Sequence, residues 1–563
     1  MNQYEAAAML REIAALIELS DPLPQKSIAY RKAANALEAI QDINDYLQKE
    51  KLQSLPGIGP KIAEMILSLL QKEKLPYYEE LKKKVPQTLL ELTYIPGLTL
   101  KKIRQLYEGM GIRNLDDLKK HIKGEPIKKW LTSYFIKNLK TRIASFDEEG
   151  PTLLLPMALE ISNSLIAFLQ TKKLVKTIAM TGALRRKLEV IGELSFVAVS
   201  ENSQACFKAF GAFPLVKEIK IFSADQSQVI LQNGIAATVS IVPDRDFAIA
   251  LLKETGSPKH LSALVQEAKK HKLTWPPSAP LENEKAYYSY LGLDYIPPEL
   301  RENFGEIKAA KYKKLPQLIQ EGDLRGAFHC HTTCSDGLNS LEEMAEAARK
   351  MGWEYIGISD HSKSSHQAHG MKEEALFDQI EAINKFNKNY SDFQIFTGIE
   401  CDILKDGLLD FSNDTLASLD FVIVSVHRRF NLNKKEMTKR LLKAIENPYT
   451  TIIGHLTGRQ LRTREPYELD VKKIIDACIA NHKIIELNAT PNRLDMDWRY
   501  WIKAKEKGLL CSINPDAHSL KDLLNCQYGM HMARKGWLEK KDVINTKNLI
   551  EMRAFLRTCS KEH

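Results

Sequence analysis

Nine of the 14 histidines fall between residues 329 and 518. In that stretch, apolar strand-like runs end one after another in residues that bind metal ions. GAFHCHTTCSDG supplies His329, His331 and Asp336; YIGISDHS supplies Asp360 and His361; QIFTGIECDIL supplies Glu400. FVIVSVH supplies His427, TIIGH supplies His455, KIIELNA supplies Glu486 and Asn488, and LLCSINPDAHS supplies Asp516 and His518. Imidazole nitrogens with carboxylate oxygens suit Zn²⁺, Mn²⁺ or Fe²⁺. The set His329, His331, Asp336, His361, Glu400, His427, His455, Asp516 and His518 is too large for one ion and points to two or three. Cys330 lies between the first two histidines and Cys334 follows them, so a metal-binding role for these cysteines is weighed beside the main set. None of the eight cysteines forms a C-x-x-C pair, and their sparse scatter fits a reducing compartment.

The elements that must position these residues are legible in the same stretch. Helical periodicity over 340–351, 373–388, 434–446 and 471–481 separates the strand-like runs. Strand, ligand and helix repeated about seven times predict a parallel βα array. In a barrel of such units the carboxyl ends of all strands open on one mouth, so donors almost 190 positions apart would meet. Arg459 in GHLTGR and Arg493 in ATPNRLD sit on loops after strands. As planar fork donors they are candidate phosphate clamps.

The first third of the chain has another character. LPGIGPKIAEMI (55–66) and IPGLTLKKIRQLY (95–107) each set Pro-Gly before a helix with lysine near its start. Glycine permits close approach of another backbone, and the helix start offers unpaired N–H groups to a phosphate. Gly57, Gly59, Lys61, Gly97, Lys101 and Lys102 are the candidate DNA contacts, with Thr99 in place of the second glycine of the later copy. Helical periodicity over 3–19, 26–40 and 61–73 flanks them. Residues 101–143 hold twelve Lys/Arg against four acids, most of a net charge of +9. Such a block suits a phosphate backbone.

These hairpins resemble the helix-hairpin-helix elements of family X DNA polymerases, and SIAYRKAANALEAI (27–40) resembles that family's N-terminal domain. The sugar-phosphate lyase lysine of some members falls at Met65, which forms no imine; Lys26, Lys32 or Lys61 would have to substitute. VKTIAMTGALRRKLEVIGELSFVAVS (175–200) is similar to the family's nucleotidyltransferase frame. The resemblance implies a Gly-Ser pair and two arginines on the triphosphate, and three aspartates on two Mg²⁺ ions. Here Gly182-Ala183 replaces Gly-Ser, Arg185 and Arg186 remain, Glu193 and Ser195 replace two aspartates, and Thr238 replaces the third. Asn233-Gly234 predicts a hairpin turn. Lys253-Glu254 replaces an aromatic pair before Thr255-Gly256-Ser257. Mg²⁺ binds through carboxylates and phosphates, and two such ions ~4 Å apart need negative charge between them. One lone glutamate leaves too little charge for this, so Mg²⁺ binding is not expected and polymerisation is expected to be lost or severely weakened.

Residues 327–563 resemble the PHP (polymerase and histidinol phosphatase) domain. The whole order resembles bacterial and archaeal PolX proteins. That resemblance implies phosphoester hydrolysis with Mn²⁺, Zn²⁺ or Fe²⁺, with Glu400 bridging two metals and His361, Glu400 and Asp516 taking part in catalysis. Asp360 is a ligand or orients one.

The expected fold class is a multidomain α+β and α/β protein. Its parts are a helical helix-hairpin-helix region (1–85), a second DNA-binding hairpin domain (86–148), a nucleotidyltransferase palm (149–243) and a thumb (244–300). A linker (301–326) then leads to a distorted (βα)7 barrel (327–563). The expected activity is a 3′–5′ exonuclease of DNA repair, extending to cuts at abasic sites, on gapped, primer–template or 3′-end DNA. An active polymerase using Glu193 and an unrecognised carboxylate, a phosphatase of small esters, and a non-catalytic DNA scaffold are the alternatives. No apolar run approaches the ~18 residues of a membrane span. A cytoplasmic monomer is expected.

Overall fold

The computed structural model describes residues 3–561 apart from 22–24, 40–42, 56, 72–74, 96–97, 132–134, 137–138, 141 and 145–149. The chain divides into two compact units. One comprises Met1–Leu153, Met157–Leu184 and Val190–Glu254, the other Leu154–Pro156, Arg185–Glu189 and Thr255–His563.

The first unit opens with helices. Gln3–Ser20, Gln25–Ala39, Pro60–Leu70 and Leu100–Met110 bury one apolar stripe each, with Leu10, Ile13, Ile17, Leu37, Ile62, Ile66, Ile103 and Leu106 sharing one core. Their spacing of three and four residues is what a helix needs to bury one face. A five-stranded sheet follows, from β1 (Thr177–Met180), β2 (Glu193–Val199), β3 (Val216–Phe222), β4 (Gln226–Leu231) and β5 (Ala236–Ile241). Its order is β1-β2-β5-β4-β3, with β2 and β5 parallel and the other pairs antiparallel. The Asn233-Gly234 turn lies between β4 and β5, with Gly234 at φ +80° and the Asn233 side chain accepting from the Ile235 amide.

The second unit carries the barrel. Seven strands run β6 (Gly326–Ala327), β7 (Tyr355–Ile358), β8 (Gln394–Asp402), β9 (Phe421–Ser425), β10 (Ile452–Ile453), β11 (Ile484–Asn488) and β12 (Cys511–Asn514). Each pairs in parallel with its sequence neighbour. The ring closes beyond the regular strands, where Cys330 bridges Ala517 and the His331 amide donates to Ala517 O at 2.8 Å. Strands such as FVIVS and IIELN are buried along their whole length, because helices cover the outside and side chains fill the inside.

Of the four separating helices read from periodicity, Leu341–Lys350, Lys434–Ile445 and Val471–Ala480 start on side-chain caps. Ser340 and Glu343 form a reciprocal capping box at Leu341–Lys350, and Asn433 and Glu436 form another at Lys434–Ile445. Observed boundaries there, and at Glu373–Asn387 and Val471–Ala480, lie within a residue or two of those read from periodicity. No helix of the described residues is long and apolar enough to cross a membrane.

Aromatic packing fills the barrel. Phe328 meets Phe421 edge-on at 5.0 Å between centroids and lies 5.6 Å from Tyr355 and 6.0 Å from Phe396. Two glycines on adjacent strands make room for it. A Cβ at Gly357 would come 2.7 Å from Phe421, and one at Gly398 would overlap the same ring. Gly398→Ala is therefore expected to destabilise the barrel by ~1–3 kcal/mol through overpacking. A lowered urea midpoint of the variant checks this; an unchanged midpoint would mean that the Phe421 ring has room to move.

Candidate metal centre

Glu400 organises the mouth of the barrel. It lies near the carboxyl end of β8 and is 1% exposed. Its Oε1 accepts from His455 Nε2 at 2.9 Å and lies 3.1 Å from His427 Nε2. Its Oε2 lies 2.9 Å from His361 Nδ1, 3.3 Å from His329 Nε2 and 3.8 Å from His331 Nε2. Asp516 Oδ1 lies 3.4 Å from His331 Nε2 and 3.7 Å from both His329 Nε2 and His518 Nδ1. Asp336 Oδ1 lies 3.4 Å from His518 Nε2 and 3.6 Å from His361 Nε2. All nine candidate donors thus meet in one cluster.

These donors fit metal ions. His329 Nε2, both nitrogens of His331, His361 Nδ1 and Glu400 Oε2 are buried with no hydrogen-bond partner among the described residues, although they stand within ion-pair range of one another. Buried polar atoms left in that state are costly unless a cation meets their lone pairs. Three groups have donor atoms within 4.8 Å of one another: His331, Asp336, His361 and His518; His329, His331 and Asp516; His361, Glu400 and His427. Two or three divalent ions match that count. The backbone is bent to aim two of the donors, since His455 has φ +22° and Asp516 φ +50°.

A supporting ring orients the imidazoles. His329 Nδ1 lies 2.6 Å from Glu486 Oε1, and the other Glu486 oxygen accepts from the His455 amide at 2.7 Å. Asn488 donates to Asp516 Oδ2 at 2.9 Å and to Glu486. Glu486 and Asn488, which end a strand as the other donors do, therefore stand behind the cluster. Asp360 stands there too, accepting from the Thr332 amide, Thr332 Oγ1, Ser335 Oγ and Gln379 Nε2, and so holding the 331–336 loop. Asp402, which the sequence reading passed over, pairs with His427 Nδ1 and accepts from Ser364 and Ser365. Its signal was present: it follows Glu400 by two residues on one strand, so both carboxylates share a face.

Charge coupling at the site is strong. Burial favours neutral His427, yet Glu400 and Asp402 carry its pKa up to about 10. Burial likewise opposes the charge of His518, but Asp336 and Asp516 bring it to about 9. Burial alone would raise Asp336, and the neighbouring imidazoles His518, His361 and His331 instead hold it at about 2. His331, buried among His361, His518 and His329, is lowered to about 4.

The two candidate clamps diverge. Arg493 lines the cavity, with Nε 3.6 Å from Asp516 Oδ2. Arg459 does not line it. Its guanidinium is buried and donates to Arg493 O at 2.8 Å, to Asp497 Oδ2 at 2.5 Å and to Leu494 O. The clamp expected at Arg459 is thus a strut under the Arg493 loop, because three acceptors already take its donors. Arg428 and Arg464, not singled out from the sequence, line the cavity with Arg493.

In the first unit, Ser195 and Thr238 are register partners across β2 and β5. Thr238 Oγ1 donates to Glu193 Oε1 at 2.7 Å and accepts from Gln228 at 3.1 Å. Gly182, at φ +59°, would place a Cβ 3.8 Å from Ser195 Oγ. These four positions share one end of the sheet. Burial raises the pKa of a second acid, Glu254, and the charge of Glu193 adds to the rise, which weakens Glu254 as a ligand. Arg185 and Arg186 belong to the second unit. Arg185 forms a bidentate pair with Glu284 at 2.6 and 3.0 Å and donates to Thr255, while Arg186 pairs with Glu302 at 2.9 Å and donates to Thr255 O.

At the first hairpin, Gly57 has φ +84°, and a Cβ there would press Lys32 at 2.9 Å. Gly59 caps helix Pro60–Leu70, and Lys61 is exposed. At the second, Thr99 occupies the cap position and accepts from the Lys102 amide at 3.4 Å, which explains why glycine is dispensable there. Lys101 is exposed, whereas the Lys102 ammonium sits 3.7 Å over the Phe135 ring. Gly97 lies outside the described residues. Met65 packs partly buried against the helical core, while Lys26 and Lys32 are exposed.

Comparison with known proteins bears on the whole chain. "DNA polymerase/3'-5' exonuclease PolX" of Bacillus subtilis is 32% identical over 572 residues, covering 99% of this chain and all of that protein. The chain belongs to the PolX family. The PHP domain family model matches residues 327–490, and a helix-hairpin-helix domain model matches residues 1–75. Asp516 and His518 lie beyond the first match, and β12 brings them into the same cluster. A "Probable phosphatase" of Caldicellulosiruptor bescii is 27% identical across 42% of this chain and 96% of its own length. Another of Acetivibrio thermocellus is 29% identical across 28% of this chain and 63% of its own length.

Two measurements follow from the cluster. Asp402→Asn removes the charge that holds His427 and is expected to weaken metal retention 10–100-fold, roughly the usual effect of losing such a support; unchanged retention on dialysis against chelator would exclude that role. Against the effect of burial, neighbouring carboxylates raise His427 to about 10 and His518 to about 9, which favours a second proton on each ring at pH 7. Those protons must leave before the nitrogens can bind a cation, so metal affinity climbs as pH rises toward those values. Calorimetric titration with Mn²⁺ in buffers of different ionisation enthalpy reads the released protons.

Proposed function

We propose that this chain is a metal-dependent 3′–5′ exonuclease acting on DNA, and that its nucleotidyltransferase frame no longer extends strands. The observation that carries the reading is Glu400 at the centre of six imidazoles and two aspartates. His329, His331, Asp336, His361, Glu400, His427, His455, Asp516 and His518 would hold two or three ions, Mn²⁺ or Zn²⁺ by donor type. When bound, such ions activate water and neutralise charge gathering on the phosphoryl oxygens.

The protein's own groups do the rest. Glu400 serves two donor groups at once, one oxygen facing His427 and His455 and the other facing His361 and His329. Asp402 and Glu486 fix the ring orientation of His427 and His329. Arg493, steadied by the Arg459 strut, is set to grip a phosphate oxygen on the cavity wall. Two hairpin loops with Lys61 and Lys101 exposed, and the printed name of the B. subtilis relative, support DNA as the substrate. The finer division into hairpin, palm, thumb, linker and barrel domains belongs to the same proposal, as does a cytoplasmic setting.

Loss of polymerisation rests on charge. Glu193 already accepts from Thr238, Ser195 and Thr238 are neutral, and Arg185 and Arg186 are paired with carboxylates. Two Mg²⁺ ions would have too little negative charge between them. A second reading, hydrolysis of small phosphomonoesters, draws on the relatives named as probable phosphatases.

A 5′-labelled primer–template with Mn²⁺, with and without nucleotides, separates the readings. Shortening without extension is expected, lost in His329→Ala/His331→Ala and kept in Glu193→Ala. Extension abolished by Glu193→Ala would restore the polymerase reading, and phosphate release from small esters without shortening would favour the phosphatase.

A further inference from the structure

The cavity over the metal donors measures about 610 Å³, within the size range of sites that enclose a small organic ligand. Its wall is not uniformly polar. Phe430, on the loop after β9, lies against the buried Tyr467 with ring centroids 6.1 Å apart and planes 23° off parallel. Tyr467 is itself fixed, donating its hydroxyl to Leu456 O at 2.5 Å. Arg464 covers the Phe430 ring, its guanidinium carbon 4.2 Å from the centroid.

That guanidinium is held before any ligand arrives. Arg464 closes a tight hairpin by exchanging backbone hydrogen bonds with Gln460 at 2.7 and 2.8 Å, and its Nε donates to Gly458 O at 2.8 Å. Gly458 is at φ +59°, and a Cβ there would lie 2.7 Å from Tyr467 and 3.3 Å from Phe430. The loop therefore brings its backbone against both rings. The result is a planar cation, held flat and backed by an aromatic ring, on the wall that also presents Arg493 and the donor residues Glu400 and Asp516.

A bare phosphomonoester uses none of this flatness, because phosphate recognition needs only cations and N–H donors. A phosphoester carrying a planar π system uses all of it. Nucleobases stack on aromatic rings and on guanidinium planes whatever their identity, since every base has a π face. We propose that Phe430 and Arg464 form a stacking subsite for the nucleobase at the strand end whose phosphodiester is cut. This rests on the nucleic-acid reading above and adds to it a sequence-tolerant preference for ends that carry a base.

The test compares two 5′-labelled single strands with the full-length Mn²⁺-loaded protein. One ends in an ordinary 3′ nucleotide, the other in an abasic unit, and the first cleavage is timed. The unaltered protein is expected to favour the base-bearing end by roughly 10-fold in kcat/KM, as loss of one stacked base predicts. In Phe430→Ala and in Arg464→Ala that preference is expected to fall toward unity, and Phe430→Trp is expected to keep it. Equal losses on both strands, or a preference that persists in both alanine variants, would overturn the subsite and leave the exonuclease standing. If the unaltered protein shortens neither strand yet hydrolyses p-nitrophenyl phosphate, the nucleic-acid reading fails and the subsite fails with it.

Discussion

A buried carboxylate surrounded by imidazoles is the constraint on which the C-terminal half depends. Glu400 cannot be charged in an apolar interior without partners, since burial alone raises its pKa. His427, His329 and His361 reverse that and hold it well below the ordinary carboxylate range. The reverse also holds, because Glu486, Glu400 and Asp516 keep His329 far more basic than its complete burial would allow. Breaking one side of such a set leaves the other as an uncompensated buried charge. The parallel strands, their register and the bent backbone at His455 and Asp516 all serve to keep these groups within a few ångströms of one another.

The supporting ring explains why the site needs a whole barrel. Several donors are aimed by a residue from another strand or loop: His329 by Glu486 on β11, His427 by Asp402 on β8, and the 331–336 loop by Asp360 after β7. The same principle extends to the cavity wall. Arg459 lends its guanidinium to the loop of Arg493, and Asp497, its partner, also accepts from Arg499. Arg499 in turn pairs with Glu189, whose other oxygen accepts from Trp498. A run of ion pairs, ending in a hydrogen bond from Arg459 to Arg493 O, thus links the segment just after Arg185 and Arg186 to the wall of the metal cavity within one unit.

The proposed division of labour follows from charge as well. At the sheet end of the first unit, Glu193 accepts from the Thr238 hydroxyl, and burial favours the neutral form of Glu254. Hydroxyls can fill a hydrogen-bonding position left by an aspartate, but they cannot offset the repulsion of two dications. At the barrel mouth three carboxylates and six imidazoles remain together. The two sites therefore differ in how much cationic charge they can hold, while both keep their backbone frames.

Much of this was determined by the sequence itself. Period-two and fully apolar runs ending in His, Asp or Glu marked the strands and the donors. Periodicity of three and four residues marked the helices within a residue or two, because those patterns are local consequences of burying one face. Tertiary structure decided what depends on a partner distant in the chain. It separated Arg493 from Arg459, which look alike on post-strand loops, because only one has three acceptors waiting for its guanidinium. It brought Asp402 behind His427, Glu254 beside Glu193, and Arg464 over Phe430, none of which a local pattern encodes. It also gave Thr99 a capping role in place of a glycine. Spacing along the chain determines which face a side chain joins; which group it meets there is decided by strands and loops that sequence distance does not order.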